Sequence, residues 1–169
     1  MATPEPTDDA WRALQLQFDL VKHAETKAAA TLASSGVLGG LLYSLVSQNK
    51  VGGVLFALFA ALSAVAIVTA ATAAGIALRP RQFRRHGSRN LLFYGAIADE
   101  FGHDAGAFGG EFEALLGDRS ALLAAISGQI LSNANVAARK YHAINVAIFT
   151  LLAALALMAV TAGMGLTGW

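Results

Sequence analysis

Three long runs without an acidic or basic Asp, Glu, Lys or Arg side chain constrain this chain most: Ala28 to Asn49 (22 residues), Val51 to Leu78 (28) and Tyr141 to Trp169 (29). A helix crosses the roughly 30 Å of bilayer hydrocarbon with about 20 apolar residues, so each run is long enough for one span. Eleven of the twelve Lys and Arg residues, and all eleven Asp and Glu residues, precede the first run or lie between the second and third. Only Lys50 separates the first two runs, which therefore form a helical hairpin with a short loop. Loops rich in Lys and Arg stay cytoplasmic. The N-terminus and the 79–140 segment are thus expected inside, and Lys50 and Trp169 outside. The fold class follows: an all-α membrane protein with three transmembrane helices.

The chain then divides into a cytoplasmic N-terminal amphipathic helix (1–27), a transmembrane hairpin (28–78), a cytoplasmic region (79–140) and a third span (141–169). Pro4 and Pro6 mark a tail, after which Thr7, Asp8 and Asp9 offer helix caps with carboxylates well placed for the dipole. Trp11, Leu14, Phe18, Val21, Ala24 and Ala28 recur at spacings of three and four and predict one buried helix face. Nothing breaks that helix before the first span. A last helix is expected from Asp118 or Ser120, with Leu122, Leu123, Ile126, Ile130, Leu131 and Ala134 as its apolar face, reading on into span 3. Spans 1 and 3 are therefore expected to extend as cytoplasmic stalk helices. Between them lie an apolar segment (90–101) and a stretch holding Gly102, Gly106, Gly109 and Gly110, which reads as a glycine-rich connector. Gly36 and Gly40 stand at the spacing by which membrane helices approach closely. They serve either packing within the hairpin or an interface between protomers.

Several function classes fall away. The net charge is only +1, so no nucleic-acid partner is expected. Cysteine is absent, which removes disulfides, thiolate metal sites and cysteine nucleophiles. No ionisable group sits deep in a span, as a proton or ion transporter needs. The first 27 residues are mixed in charge and amphipathic, so a cleaved signal is not expected. The four histidines have no metal-ligand spacing, Asp99, Glu100, His103 and Asp104 lack a second cluster, and phosphate-loop motifs are missing. No enzyme, no cofactor and no metal are expected. What remains is a cytoplasmic set fit for an anion: Lys27, Arg84, Arg85, Arg89, Asn90, Tyr94, Arg139, Lys140 and Tyr141. Arginine forks suit phosphate, an aromatic ring offers a stacking face, and Asn90 has the groups to read a base edge. Contact with lipid phosphates, with pairing to Glu25, Asp19 and Asp99, explains the same residues.

Three blocks carry a resemblance. HAETKAAATLASSGVLGGLL (23–42), NLLFYGAIAD (90–99) and QILSNANVAARKYHAINVAIF (129–149) resemble, in that order, segments of the Pycsar transmembrane effectors of bacterial anti-phage defence. The resemblance implies a bacterial inner-membrane effector with a periplasmic C-terminus. It would sense cyclic UMP or cyclic CMP made by a nucleotide cyclase, impair membrane integrity and cause abortive infection. Expected partners are that cyclic pyrimidine mononucleotide, membrane lipid and further copies of the chain in a homo-oligomer. The residues set against the ligand are Lys27, Arg84, Arg85, Asn90, Tyr94 and Arg139. A ligand-independent holin-like protein and a membrane adaptor that docks a protein partner are the alternatives.

Overall fold

The computed structural model describes residues 6–49, 53–79 and 90–167, with only the backbone of Thr167. Five helices account for nearly all of them: α1 (Pro6–Gln48), α2 (Val54–Leu78), α3 (Tyr94–Phe101), α4 (Ala105–Gly117) and α5 (Arg119–Thr167). There is no strand among the described residues. α1, α2 and α5 each hold a window apolar enough to cross a membrane, and the chain is an all-α membrane protein. At 1.5 Å per residue, α1 and α5 measure about 65 and 74 Å, more than twice the hydrocarbon thickness. Both therefore carry a long segment beyond their apolar window.

Contacts gather the chain into two compact units. One, here the polar unit, draws on Met1–Lys22 and Pro80–Ala138; the other, the membrane unit, on His23–Arg79 and Arg139–Trp169.

In the membrane unit the buried residues of α2 are Phe56, Ala60, Ser63, Ile67, Ala70, Ala74 and Ala77, alternating at spacings of four and three. α1 continues the same rhythm with Ala24, Ala28, Thr31, Ser35 and Leu42, and α5 with Lys140, Ile144, Ala147, Ala154 and Thr161. A 3.5-residue period keeps one seam facing its partners along the whole length, as in a left-handed coiled coil. Ala24, Ala28, Ala77 and Ile144 make one layer; Leu42, Ala60, Ile67 and Ala154 make another. Small side chains dominate because lipid tails are as apolar as leucine, so helices gain by close approach. The buried hydroxyls of Thr31, Ser35, Ser63 and Thr161 each donate to the carbonyl four residues back, at 2.8–2.9 Å. Their polarity is thereby spent inside their own helix.

Gly36 and Gly40 do not pack within the hairpin. Both are exposed, and a Cβ on either would meet nothing within 4 Å; it is Gly39 that faces Ile67. This decides against the reading in which the pair closes the hairpin.

The polar unit is built on larger side chains. Leu14 of α1 packs with Leu122 and Ile126 of α5, joined by Ala10, Leu92, Leu115 and Ile130. The expected α1 face is corrected here: Trp11 and Phe18 are exposed, and the inward line is Ala10, Leu14, Gln17 and Val21. Leu131 likewise lies outward, its inward place taken by Gln129. Both errors come from counting every apolar residue as core.

The glycine-rich segment is a second correction, since most of it is α4. The Asp104 carboxylate accepts from the Ala107 N–H at 2.9 Å and caps the helix. Phe101, Phe108 and Phe112 then form a chain of ring contacts, each 5.4 Å between centroids. Gly102, at φ +48°, makes the turn between α3 and α4 that other residues resist. Asp118 closes the unit's last junction: its carboxylate accepts from the Ser120 and Ala121 N–H groups and the Ser120 hydroxyl, starting α5.

Candidate functional site

In the membrane unit, α1 and α5 bring together residues that are 115 positions apart in sequence. Lys140 is only 5% exposed, and its ammonium donates to the Glu25 carboxylate at 2.5 Å. The helical seam places Lys140 where an apolar residue belongs, and Glu25 supplies the charge that makes its burial tolerable. Beside this pair, the Lys27 ammonium lies 5.8 Å from the centre of the Tyr141 ring, a cation–π contact near the outer limit of that interaction. Lys27 and Arg139 are both exposed. Lys27, Arg139 and Lys140 thus lie close in sequence to the point where both helices turn apolar.

Asn90 and Tyr94 belong to the polar unit. The Asn90 amide donates to the Ala125 carbonyl of α5 and accepts the Leu92 N–H, both at 2.9 Å. It fastens the 90–93 turn to α5 and carries Leu92 into the core. The amide keeps one N–H and one lone pair beyond these two bonds. Tyr94, the first residue of α3, is 63% exposed, with its ring 5.0 Å from that of Phe93. A Cβ on Gly95 would come within 2.7 Å of the Phe93 ring, so glycine lets that ring fold back and present Tyr94. Arg84 and Arg85, with Arg89, lie outside the described residues.

The structure therefore sets Lys27 and Arg139 in one unit and Asn90 and Tyr94 in the other. It specifies one pairing that the sequence left general and adds one feature that sequence reasoning passed over. One is the assignment of Lys140 to Glu25; the only sequence signal is that both sit in seam-adjacent charged positions just before an uncharged run. The other is a pair of amides on α5. Gln129 is buried and its Nε2 donates to Asn133 Oδ1 at 3.3 Å, while the buried Nδ2 of Asn133 has no partner among the described residues. Polar residues at apolar spacing were the available sign. Among the described residues no group of three or more His, Asp or Glu side chains is placed to hold a metal ion, and Asp104 is engaged as a cap.

Comparison with known proteins gives one consistent result. The profile of the Pycsar effector protein domain matches residues 9–167. The Pycsar effector protein PtPycTM of Propioniciclava tarda is 32% identical over 167 residues, covering 96% of this chain and 82% of that relative. No solved structure matches.

Proposed function

The chain belongs to the Pycsar effector family, and on that footing we propose that it senses a cyclic pyrimidine mononucleotide, cyclic UMP or cyclic CMP, and impairs the membrane in response. It acts in the bacterial inner membrane with its N-terminus cytoplasmic and its C-terminus periplasmic, and it is an effector without catalytic activity of its own. A nucleotide cyclase supplies the ligand upon infection, and loss of membrane integrity ends the infected cell before phage release. The observation that supports this reading is the set of cations Lys27, Arg139 and Lys140 where α1 and α5 turn apolar, with Lys27 over the Tyr141 ring, on two helices long and apolar enough to be membrane spans.

A cyclic monophosphate carries a single negative charge, so one or two forked or ammonium donors suffice to hold it. Lys27 and Arg139 are the proposed phosphate partners, with Arg84 and Arg85 as further candidates from the sequence. Tyr94 is proposed as a stacking face for a base, and Asn90 as the residue that positions its turn. Binding shifts a two-state equilibrium only by its differential affinity for the two states. An anion that draws Lys27 off the Tyr141 ring acts on α1 and α5 with no linker between.

Thermal unfolding of the detergent-solubilised protein against cyclic UMP, cyclic CMP, cyclic AMP and cyclic GMP tests the reading. Ligand at about 100 times its Kd stabilises the folded state by about 2.7 kcal/mol, which is about 5–10 °C for a chain of this size. A shift with a pyrimidine nucleotide alone, lost in Lys27→Ala/Arg139→Ala, is expected. Equal responses to all four nucleotides, or none, would reject it.

A further inference from the structure

We infer that Glu25 is a built-in competitor of the ligand: its carboxylate holds, on the buried Lys140 ammonium, the place that a phosphate monoanion takes when it binds. This role rests on the sensing of a cyclic mononucleotide proposed above, and it adds Lys140 to Lys27 and Arg139 as a phosphate partner. The pair is asymmetric. The Lys140 side chain is 5% exposed, in line with the buried Ala137, Ile144 and Ala147, whereas the Glu25 side chain is 48% exposed. The fold fixes the cation and leaves the anion half in water.

A buried ammonium needs an anion, because burial takes it from water. Nothing requires that anion to be Glu25. A carboxylate and a cyclic phosphodiester each carry one negative charge, so exchanging one for the other leaves Lys140 neutralised before and after. Once released, the Glu25 carboxylate turns into the water it already touches. Adding the phosphate without releasing Glu25 would crowd two anions on one buried ammonium, and like charges at that range repel. Lys27 is exposed and lies over the ring of Tyr141, the residue that follows Lys140. It offers the incoming phosphate a second ammonium beside the pair.

Stability alone does not account for the pair. Replacing a buried ion pair by apolar side chains is often neutral or stabilising, and a carboxylate half in water has its attraction screened. A seam that gives up an apolar contact for so weak a tie is expected where the charge has another use. Release also has a mechanical consequence. Glu25 and Lys140 lie 115 positions apart and tie α1 to α5, so the exchange that seats the ligand unties the two helices at that layer. The carboxylate sets a threshold as well. Ligand binds only the fraction of molecules in which Lys140 is open, and its apparent affinity falls with that fraction.

A probe without a base separates this exchange from nucleotide sensing. Dimethyl phosphate, a phosphodiester monoanion, is titrated against the detergent-solubilised full chain at constant ionic strength, with the thermal midpoint as readout. Glu25→Gln keeps the size of the side chain and removes its charge, and its Kd for dimethyl phosphate is expected about tenfold or more below that of the wild-type chain. Lys140→Met is expected to show no saturable shift. Glu25→Asp keeps the charge but shortens the reach by one methylene; its Kd is expected to fall between, and it decides the matter should Glu25→Gln not fold. An equal or weaker affinity in the Glu25 variants, saturable binding that survives Lys140→Met, or no saturable shift in any chain would overturn the exchange. Cyclic UMP and cyclic CMP on the same variants keep the two readings apart. Nucleotide binding with one Kd in wild type and Glu25→Gln removes the competitor and leaves sensing. The expected dimethyl phosphate pattern without nucleotide binding removes sensing and leaves the competitor.

Discussion

The two units pack their long helices on the same three-and-four spacing, yet they fill the seam with different chemistry. In the membrane unit the seam is alanine with scattered hydroxyls, each satisfied by its own helix. In the polar unit it is Leu14, Leu122 and Ile126, with the amides of Gln129 and Asn133 beside them. Removing apolar surface from water drives the second arrangement and is worth about 25 cal/mol per Å². That drive is missing in lipid, where helices gain from close contact and van der Waals packing. One repeat therefore serves two solvents, and residue size tells which solvent each segment was built for.

The contrast breaks or sharpens at particular positions. Ile126→Ala in the polar unit empties a fully buried site and is expected to cost about 2–5 kcal/mol, read as a fall in the midpoint of denaturant unfolding. A cost below about 1 kcal/mol there would deny that this seam depends on burial. Glu25→Ala leaves Lys140 buried without its carboxylate. Breaking a buried pair costs about 3–5 kcal/mol, but Glu25 has 48% of its side chain exposed. The expectation is accordingly lower, about 1–3 kcal/mol, and Lys140→Met in the same background should recover most of it. Ala154→Leu overfills the membrane seam and is expected to cost about 1–3 kcal/mol, whereas enlarging the exposed Ala153 should be neutral. Ser63→Ala is the smallest of the set. Its hydroxyl is bonded within its own helix, so the change is expected to stay within about 0.5 kcal/mol.

A pH dependence is expected in the polar unit. Hydrogen bonds from the Ala121 N–H, the Ser120 hydroxyl and the Ser120 N–H hold the Asp118 carboxyl below its ordinary value of 3.8. The folded state therefore releases this proton more readily than the unfolded chain. Its contribution is present above the unfolded pKa and is lost as pH falls through the folded one. Asp118→Asn should lower the thermal midpoint slightly at pH 7 and make no difference at the acid end of a titration.

The three spans and the unbroken run of α1 and α5 were legible because uncharged runs and absent breakers act locally. The inward line of α1 was only partly legible. Trp11 and Phe18 share the helical spacing with Leu14, and hydrophobicity alone does not tell core from an exposed flank. α4 was hidden by its glycines, since the Asp104 cap and the phenylalanine chain that outweigh them depend on Phe101 from the preceding helix. The site was less legible still. Lys140 reads as one more basic residue until the fold brings Glu25 to it, and nothing in the sequence shows that Asn90 also ties its turn to α5. Residue types alone do not tell which groups have a structural partner; tertiary contacts do.

The most direct test of sensing joined to membrane damage is dye release from sealed vesicles of anionic lipid carrying the purified full chain. Addition of cyclic UMP or cyclic CMP should release the dye, cyclic AMP should not, and Lys27→Ala/Arg139→Ala should abolish the response. Vesicles that stay tight with every pyrimidine nucleotide, or that leak equally without one, would contradict a ligand-gated membrane effector.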